Sequence, residues 1–199
     1  MHRSLTKLAL PAAVASLALV VGCENMKKDS DAKKMDNAAG GEKTAVARLE
    51  TAKAASTQPS WGKPTGTVTF TQVGDNKVKA AYDLKGLAPG KHGFHIHEKG
   101  DLSAADFSSA GPHFNPTKHK HEGTTGENRH AGDLGNVEAD TSGNSKGDVT
   151  VEGLTIGSGA ATDIVGRSIV VHEKADDLKT DPSGNSGARI SAGVIEAKK

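Results

Sequence analysis

Beyond residue 44, apolar and polar positions alternate with a period of two, as in Val68-Thr69-Phe70 and Val149-Thr150-Val151. That period marks strands with one face buried and one solvated. It predicts eight short strands: Ala45–Thr51, Thr65–Thr71, Lys77–Leu84, Gly93–Glu98, Leu134–Ala139, Asp148–Leu154, Ser168–Glu173 and Arg189–Glu196. Clusters of turn-forming residues separate them: Gly74-Asp75-Asn76, Pro89-Gly90, Ser142-Gly143-Asn144 and Gly157-Ser158-Gly159. No useful length of chain has a helical period, and no repeat is visible. The expected class is all-β, an immunoglobulin-like sandwich or a Greek-key barrel. Two segments, Lys99–Asp133 and Lys174–Ala188, are too long to be plain turns. Loops of that length in a compact domain are functional or disordered. The histidines in the first favour function.

Composition agrees with this reading. Glycine is 24 of 199 residues and aromatics total six, which suits many turns and small side chains. A net charge of +1 excludes nucleic-acid binding through bulk charge, and the few aromatics leave almost no stacking platform. The one cysteine, Cys23, excludes an intrachain disulfide framework and any multi-cysteine zinc site.

The N-terminus reads as an export signal over residues 1–22. Arg3 and Lys7 precede an apolar run, Leu8–Val21, that is too short to span a bilayer. The run ends in Leu19-Val20-Val21-Gly22-Cys23, which resembles a bacterial lipobox and makes Cys23 the expected lipidation site and membrane anchor. Valine at both middle positions is a loose fit, and an ordinary signal peptide is the alternative. Cleavage there leaves 23 basic and 24 acidic residues. Residues 23–44 are charged and small, and are expected to form a flexible tether ahead of a domain over 45–199. Met26 and Met35 are soft donors, but two methionines in a tether are more simply incidental.

Seven of the nine histidines fall between His92 and His130. His95 and His97 lie two apart in one predicted strand, so both rings share a face. His172 ends another strand, and His113, His121, His130 and Asp133 lie between. Three imidazoles with a carboxylate suit tetrahedral Zn²⁺. An all-imidazole set suits Cu(II). Six histidines and one aspartate are one ligand short of two four-coordinate sites, so one histidine must serve both metals. The count does not say which.

Five motifs now carry a resemblance. They are Gly93-Phe94-His95-Ile96-His97-Glu98, Gly111-Pro112-His113-Phe114-Asn115-Pro116, His130-Ala131-Gly132-Asp133-Leu134-Gly135-Asn136, Val170-Val171-His172-Glu173-Lys174-Ala175-Asp176-Asp177-Leu178 and Gly184-Asn185-Ser186-Gly187-Ala188-Arg189. In wording, order and spacing, residues 45–197 resemble the Cu/Zn superoxide dismutase family, whose fold is an eight-stranded Greek-key β-barrel. The resemblance implies copper on His95, His97, His113 and His172 and zinc on His113, His121, His130 and Asp133, one of each metal per subunit, with His113 as the bridge. It makes Asp176 the carboxylate that orients a copper and a zinc histidine, and Arg189 the group that attracts the superoxide anion. His92 is implied to tie backbone segments, and His119 has no counterpart role. Lys179 is either a second steering charge or a surface lysine.

The implied activity is dismutation of superoxide to oxygen and hydrogen peroxide, as an antioxidant defence in the bacterial cell envelope: periplasm, outer membrane or cell surface. Monomer and homodimer remain open. A metal-storing lipoprotein is the first competitor, but Asp176 and Arg189 exceed what storage needs. An adhesion module is the second, and leaves the histidines unexplained. One departure from the family stands out. Most relatives pair two cysteines where this chain has Phe107 and Ala192, and these two residues are expected to pack in place of the bond.

Overall fold

In the computed structural model, residues 42–54, 62–126 and 128–199 are described. The expected signal, Cys23, Met26, Met35 and all of the tether but residues 42–44 lie outside them. The strands are β1 (Thr44–Thr51), β2 (Thr65–Gly74), β3 (Lys77–Lys85), β4 (Gly90–His97), β5 (Asp133–Ala139), β6 (Ser145–Glu152), β7 (Ser168–His172), β8 (Arg189–Val194) and the two-residue β9 (Glu196–Ala197). One short 3-10 turn, Ser108–Ala110, is the only helical element among the described residues. No helix there is long and apolar enough to cross a membrane.

Every paired neighbour is antiparallel, in the order β5-β4-β7-β8-β1-β2-β3-β6, with β9 also on β1. The two ends of that path, β5 and β6, are consecutive in the chain. The turn between them is closed by Asp140, whose carboxylate accepts the N–H groups of Ser142 and Asn144 at 2.8 and 2.9 Å. The sheet therefore curls into a nearly closed barrel. The chain crosses from β3 to β4 and returns from β6 to β7, which is the expected Greek-key path. β1 serves both halves: Thr44–Leu49 pair with β2, while Glu50 and Thr51 pair with β8.

Phe70, Phe94, Ile96, Ile169, Ile190 and Ile195 are among the fully buried side chains. Each contributes about 1.5–3 kcal/mol by leaving water. β2 and β3 alternate as predicted, whereas all five residues of β7 are buried. The histidine-bearing faces of β4 and β7 are covered by the two long loops.

The structure shifts some boundaries. β4 begins at Gly90, not Gly93, because the Pro89-Gly90 turn signal hides its first ladder partners, Gly90 opposite Ala139 and Lys91 opposite Glu138. β6 begins at Ser145 and ends at Glu152, three residues earlier than its apolar pattern predicts at the start and two at the end. Pairing with β3 supports Ser145-Lys146-Gly147, and Gly153, at φ 83°, breaks the strand before Leu154. The predicted strand at Arg189–Glu196 divides where Ile195 leaves β8 and the chain moves onto β1. A third long connection, residues 153–167, was expected to be a turn. It buries Leu154, Ile156 and Ile164.

Candidate metal centre

The ladder fixes the first ligand atoms. On β4, His95 lies opposite Val170 and His97 opposite Ser168 of β7, so the two rings share one face while Phe94 and Ile96 take the other. His172 ends β7 beside Arg189 of β8. His113 joins this surface through an isolated bridge to His97. One ligand atom from each of His95, His97, His113 and His172 falls within 4.8 Å of the others, and all four residues are buried. The same holds for His113, His121, His130 and Asp133. His113 is common to both groups.

Four of the rings, those of His95, His97, His121 and His172, have one nitrogen tied down by a group outside their own donor set. His97 Nδ1 lies 2.8 Å from the Gly111 carbonyl and His172 Nδ1 lies 3.2 Å from that of Gly187, so both donate. Their Nε2 atoms then carry lone pairs, and these face each other at 3.3 Å. Two lone pairs at that separation call for a cation between them. His113 Nδ1 contacts Asp133 Oδ1 at 2.9 Å. His95 Nε2 and His121 Nε2 each lie 2.8 Å from one oxygen of Asp176. His95 Nδ1, His113 Nε2, His121 Nδ1 and His130 Nδ1 are buried with no hydrogen-bond partner. His121 Nδ1 and His130 Nδ1 approach Asp133 Oδ1 at 3.1 and 3.3 Å without the direction of a hydrogen bond. A buried polar atom left unsatisfied costs about 1–3 kcal/mol, and a bound cation removes that cost. The donor sets therefore fit metals, one all-imidazole and one with a carboxylate.

His95, Asp176 and His121 also converge, but both contacts to Asp176 have hydrogen-bond length. Asp176 is thus an orienting acceptor between the groups rather than part of a third site. It is fixed in turn by Asn136, whose side chain accepts the Asp176 N–H at 2.7 Å and donates to its carbonyl at 3.0 Å. Gly184 is required beside it, because a Cβ there would fall on Asp176 Oδ1.

Electrostatics divides the rings. Burial, with neighbouring His113 and His172, holds His97 well below the ordinary imidazole range, and burial does the same to His172. Burial lowers His113 to about 4, although Asp133 opposes it. Burial also resists charge on His121, but the nearby carboxylates of Asp133 and Asp176 prevail and raise it to about 10. Asp133 and Asp176 are held well below the usual carboxylate range; burial opposes this, and the histidine contacts outweigh it. Neutral rings with free lone pairs line the first group, and an ionised carboxylate anchors the second.

Arg189 is half-buried. It donates to the carbonyls of Phe107 at 2.6 Å and Gly111 at 2.7 Å, and the Gly111 carbonyl is the one that also holds His97. Phe107 does not face solvent: it is 3% exposed and belongs to the same apolar cluster as fully buried Ala192. His92 lies 2.8 Å from the carbonyls of both His172 and Ala88, outside either group. His119 is exposed and contacts Thr117. Lys179 is exposed too.

A family model described as copper/zinc superoxide dismutase matches residues 64–195. The chain belongs to the copper/zinc superoxide dismutase family. It is 49% identical over 141 residues to an extracellular superoxide dismutase [Cu-Zn] of Drosophila melanogaster, covering 67% of this chain and 76% of that one. An extracellular superoxide dismutase [Cu-Zn] of Caenorhabditis elegans is 45% identical over 136 residues, 65% of this chain and 60% of its own length. Among solved structures, the clock protein EA4 superposes with a TM-score of 0.66 at 39% identity, over 79% of this chain and 96% of that one. The family's metals are copper and zinc, and the two histidine groups are where this dismutase-family chain could hold them.

Sequence reasoning missed several residues around the groups. Asp181 accepts the His121 N–H at 2.9 Å and lies 3.8 Å from His130 Nε2. Arg129 is buried and donates only to backbone carbonyls. The Cζ of Arg167 stands 3.6 Å from the ring centroid of Phe114, the residue after His113. None of these makes a sequence pattern with the histidines.

Proposed function

We propose that this protein is an exported enzyme that dismutates superoxide, with copper held by His95, His97, His113 and His172 and zinc by His113, His121, His130 and Asp133. The observation that carries the reading is the pair of buried donor groups sharing His113, with Arg189 fixed one carbonyl away from His97. When bound, copper supplies one-electron exchange with superoxide, and zinc supplies charge without redox. Two superoxide ions and two protons give one oxygen and one hydrogen peroxide. Arg189 is permanently charged and already aligned by two carbonyls, so it draws the anion in and orients it. His113 holds and releases a proton at Nε2, the nitrogen with no protein partner. Asp176 keeps the rings of His95 and His121 in one tautomer.

The extracellular names of the fly and nematode relatives support export. The lipobox-like end of the N-terminal apolar run supports acylation at Cys23 and anchoring in a bacterial envelope. Burial of Phe107 and Ala192 in one cluster supports packing in place of the family's disulfide. Reconstitution with copper and zinc, followed by superoxide decay, tests the activity. Arg189→Ala is expected to slow decay about tenfold and to flatten its dependence on ionic strength, with both metals retained. Bound metal without faster decay would favour storage, and identical salt dependence in both proteins would remove the steering role.

A further inference from the structure

Arg129 precedes His130, and its side chain is buried at 8% exposure. Among the described residues it makes no ion pair within 4.0 Å. Nη1 donates to the carbonyls of His130 at 2.7 Å and Ala131 at 3.1 Å, with that of Asp133 at 3.4 Å. Nη2 donates to the Glu152 carbonyl at the end of β6, at 2.6 Å. One guanidinium thus clamps the turn that carries two ligands of the second group onto a strand outside it. A buried cation is costly to desolvate, and four neutral acceptors are a modest return unless the geometry they fix matters.

The turn packs closely: Gly132 has no room for a Cβ, which would strike the Ile96 carbonyl. A cleft of about 710 Å³, lined by Thr117, His119, Thr124, Arg129, Ala131 and Glu152, adjoins the same turn. The hydrogen bonds of Arg129 tie the turn to β6 beside this cleft.

We propose that Arg129 is a positioning residue for the zinc group, holding the His130–Asp133 turn so that His130 Nδ1 and Asp133 Oδ1 aim at one point. The proposal rests on the assignment of zinc to this group. It separates Arg129 from a general structural tie, because a tie would affect folding and both groups alike.

The test is metal affinity in Arg129→Gln and Arg129→Lys, measured by competition with chromophoric chelators for zinc and for copper, alongside the absorption spectrum of Co²⁺ loaded in place of zinc. Glutamine cannot reach both the turn and β6, and zinc affinity is expected to fall roughly 10–100-fold, as for other outer partners of ligands. Lysine keeps the charge but not the fork, and is expected to lose about tenfold. Copper affinity should stay within about threefold of wild type in both, and the Co²⁺ bands should weaken. Wild-type zinc affinity in either variant would overturn the proposal, as would equal losses of zinc and copper. A wild-type protein that binds copper but no zinc would overturn the zinc assignment and the proposal with it.

Discussion

The two metal groups are built in opposite ways from nearly the same residue type. His95, His97 and His172 stand on β4 and β7, where ladder pairing fixes each Cα before any side chain is placed. His121 and His130 stand on the long loop between β4 and β5, and Asp133 opens β5. There the carboxylate of Asp133 organises the backbone, accepting the N–H groups of Glu122 at 3.2 Å and His130 at 3.1 Å. The strand-borne group is a product of the barrel. The loop-borne group is a product of hydrogen bonds, and segments held that way open at lower free energy than core strands. The first should persist without metal, and the second should depend on its ion for order.

Asp133→Asn is the hardest blow to this contrast. It removes a proposed zinc donor and weakens the loop's organising acceptor together. Zinc affinity should drop by more than the roughly 100-fold an outer partner can cost, while copper affinity in a chelator competition changes little. Loss of both metals would mean that the strand-borne group also depends on the loop. Asp176→Asn should have a smaller but wider effect. Because Asp176 contacts His95 and His121 alike, both affinities should fall by roughly 10–100-fold, and a loss confined to one metal would show that the other histidine is oriented elsewhere.

The smallest effect lies in the metal-free domain across pH 6–8, at about 1–2 kcal/mol in stability. His121, raised to about 10, contributes stability that is full below its ordinary 6.5 and is lost as pH rises toward 10. His95, His97, His113 and His172 are lowered, and their contribution is full above 6.5 and is lost as pH falls, for His113 down to about 4. Thermal melts of the metal-free protein should therefore peak near pH 6.5. Stability that keeps rising to pH 8 would show that His121 is not held protonated.

Much of the strand-borne group was legible in the sequence, because period-two alternation and paired histidines report the same geometry. β6 was misplaced because Ser145-Lys146-Gly147 carries no apolar signal and owes its strand to pairing with β3. The connection over 153–167 was overlooked because its buried Leu154 and Ile156 look like the tail of a strand. Around the two donor groups, residue type and motif marked the donors and Asp176. Arg129 and Asp181 were invisible for a physical reason: their partners are backbone carbonyls and an amide, which leave no trace in side-chain identity.

Burial of Phe107 and Ala192 in the apolar cluster goes with a chemical feature of the whole domain that reaches beyond packing. The four sulfur-bearing residues of the chain are Met1, Cys23, Met26 and Met35, so residues 42–199 contain no sulfur atom. Thiols and thioethers are the side chains that peroxide converts stepwise into sulfenic acids and sulfoxides. A barrel proposed to make peroxide at its own surface thus offers that product no thiol or thioether to oxidise.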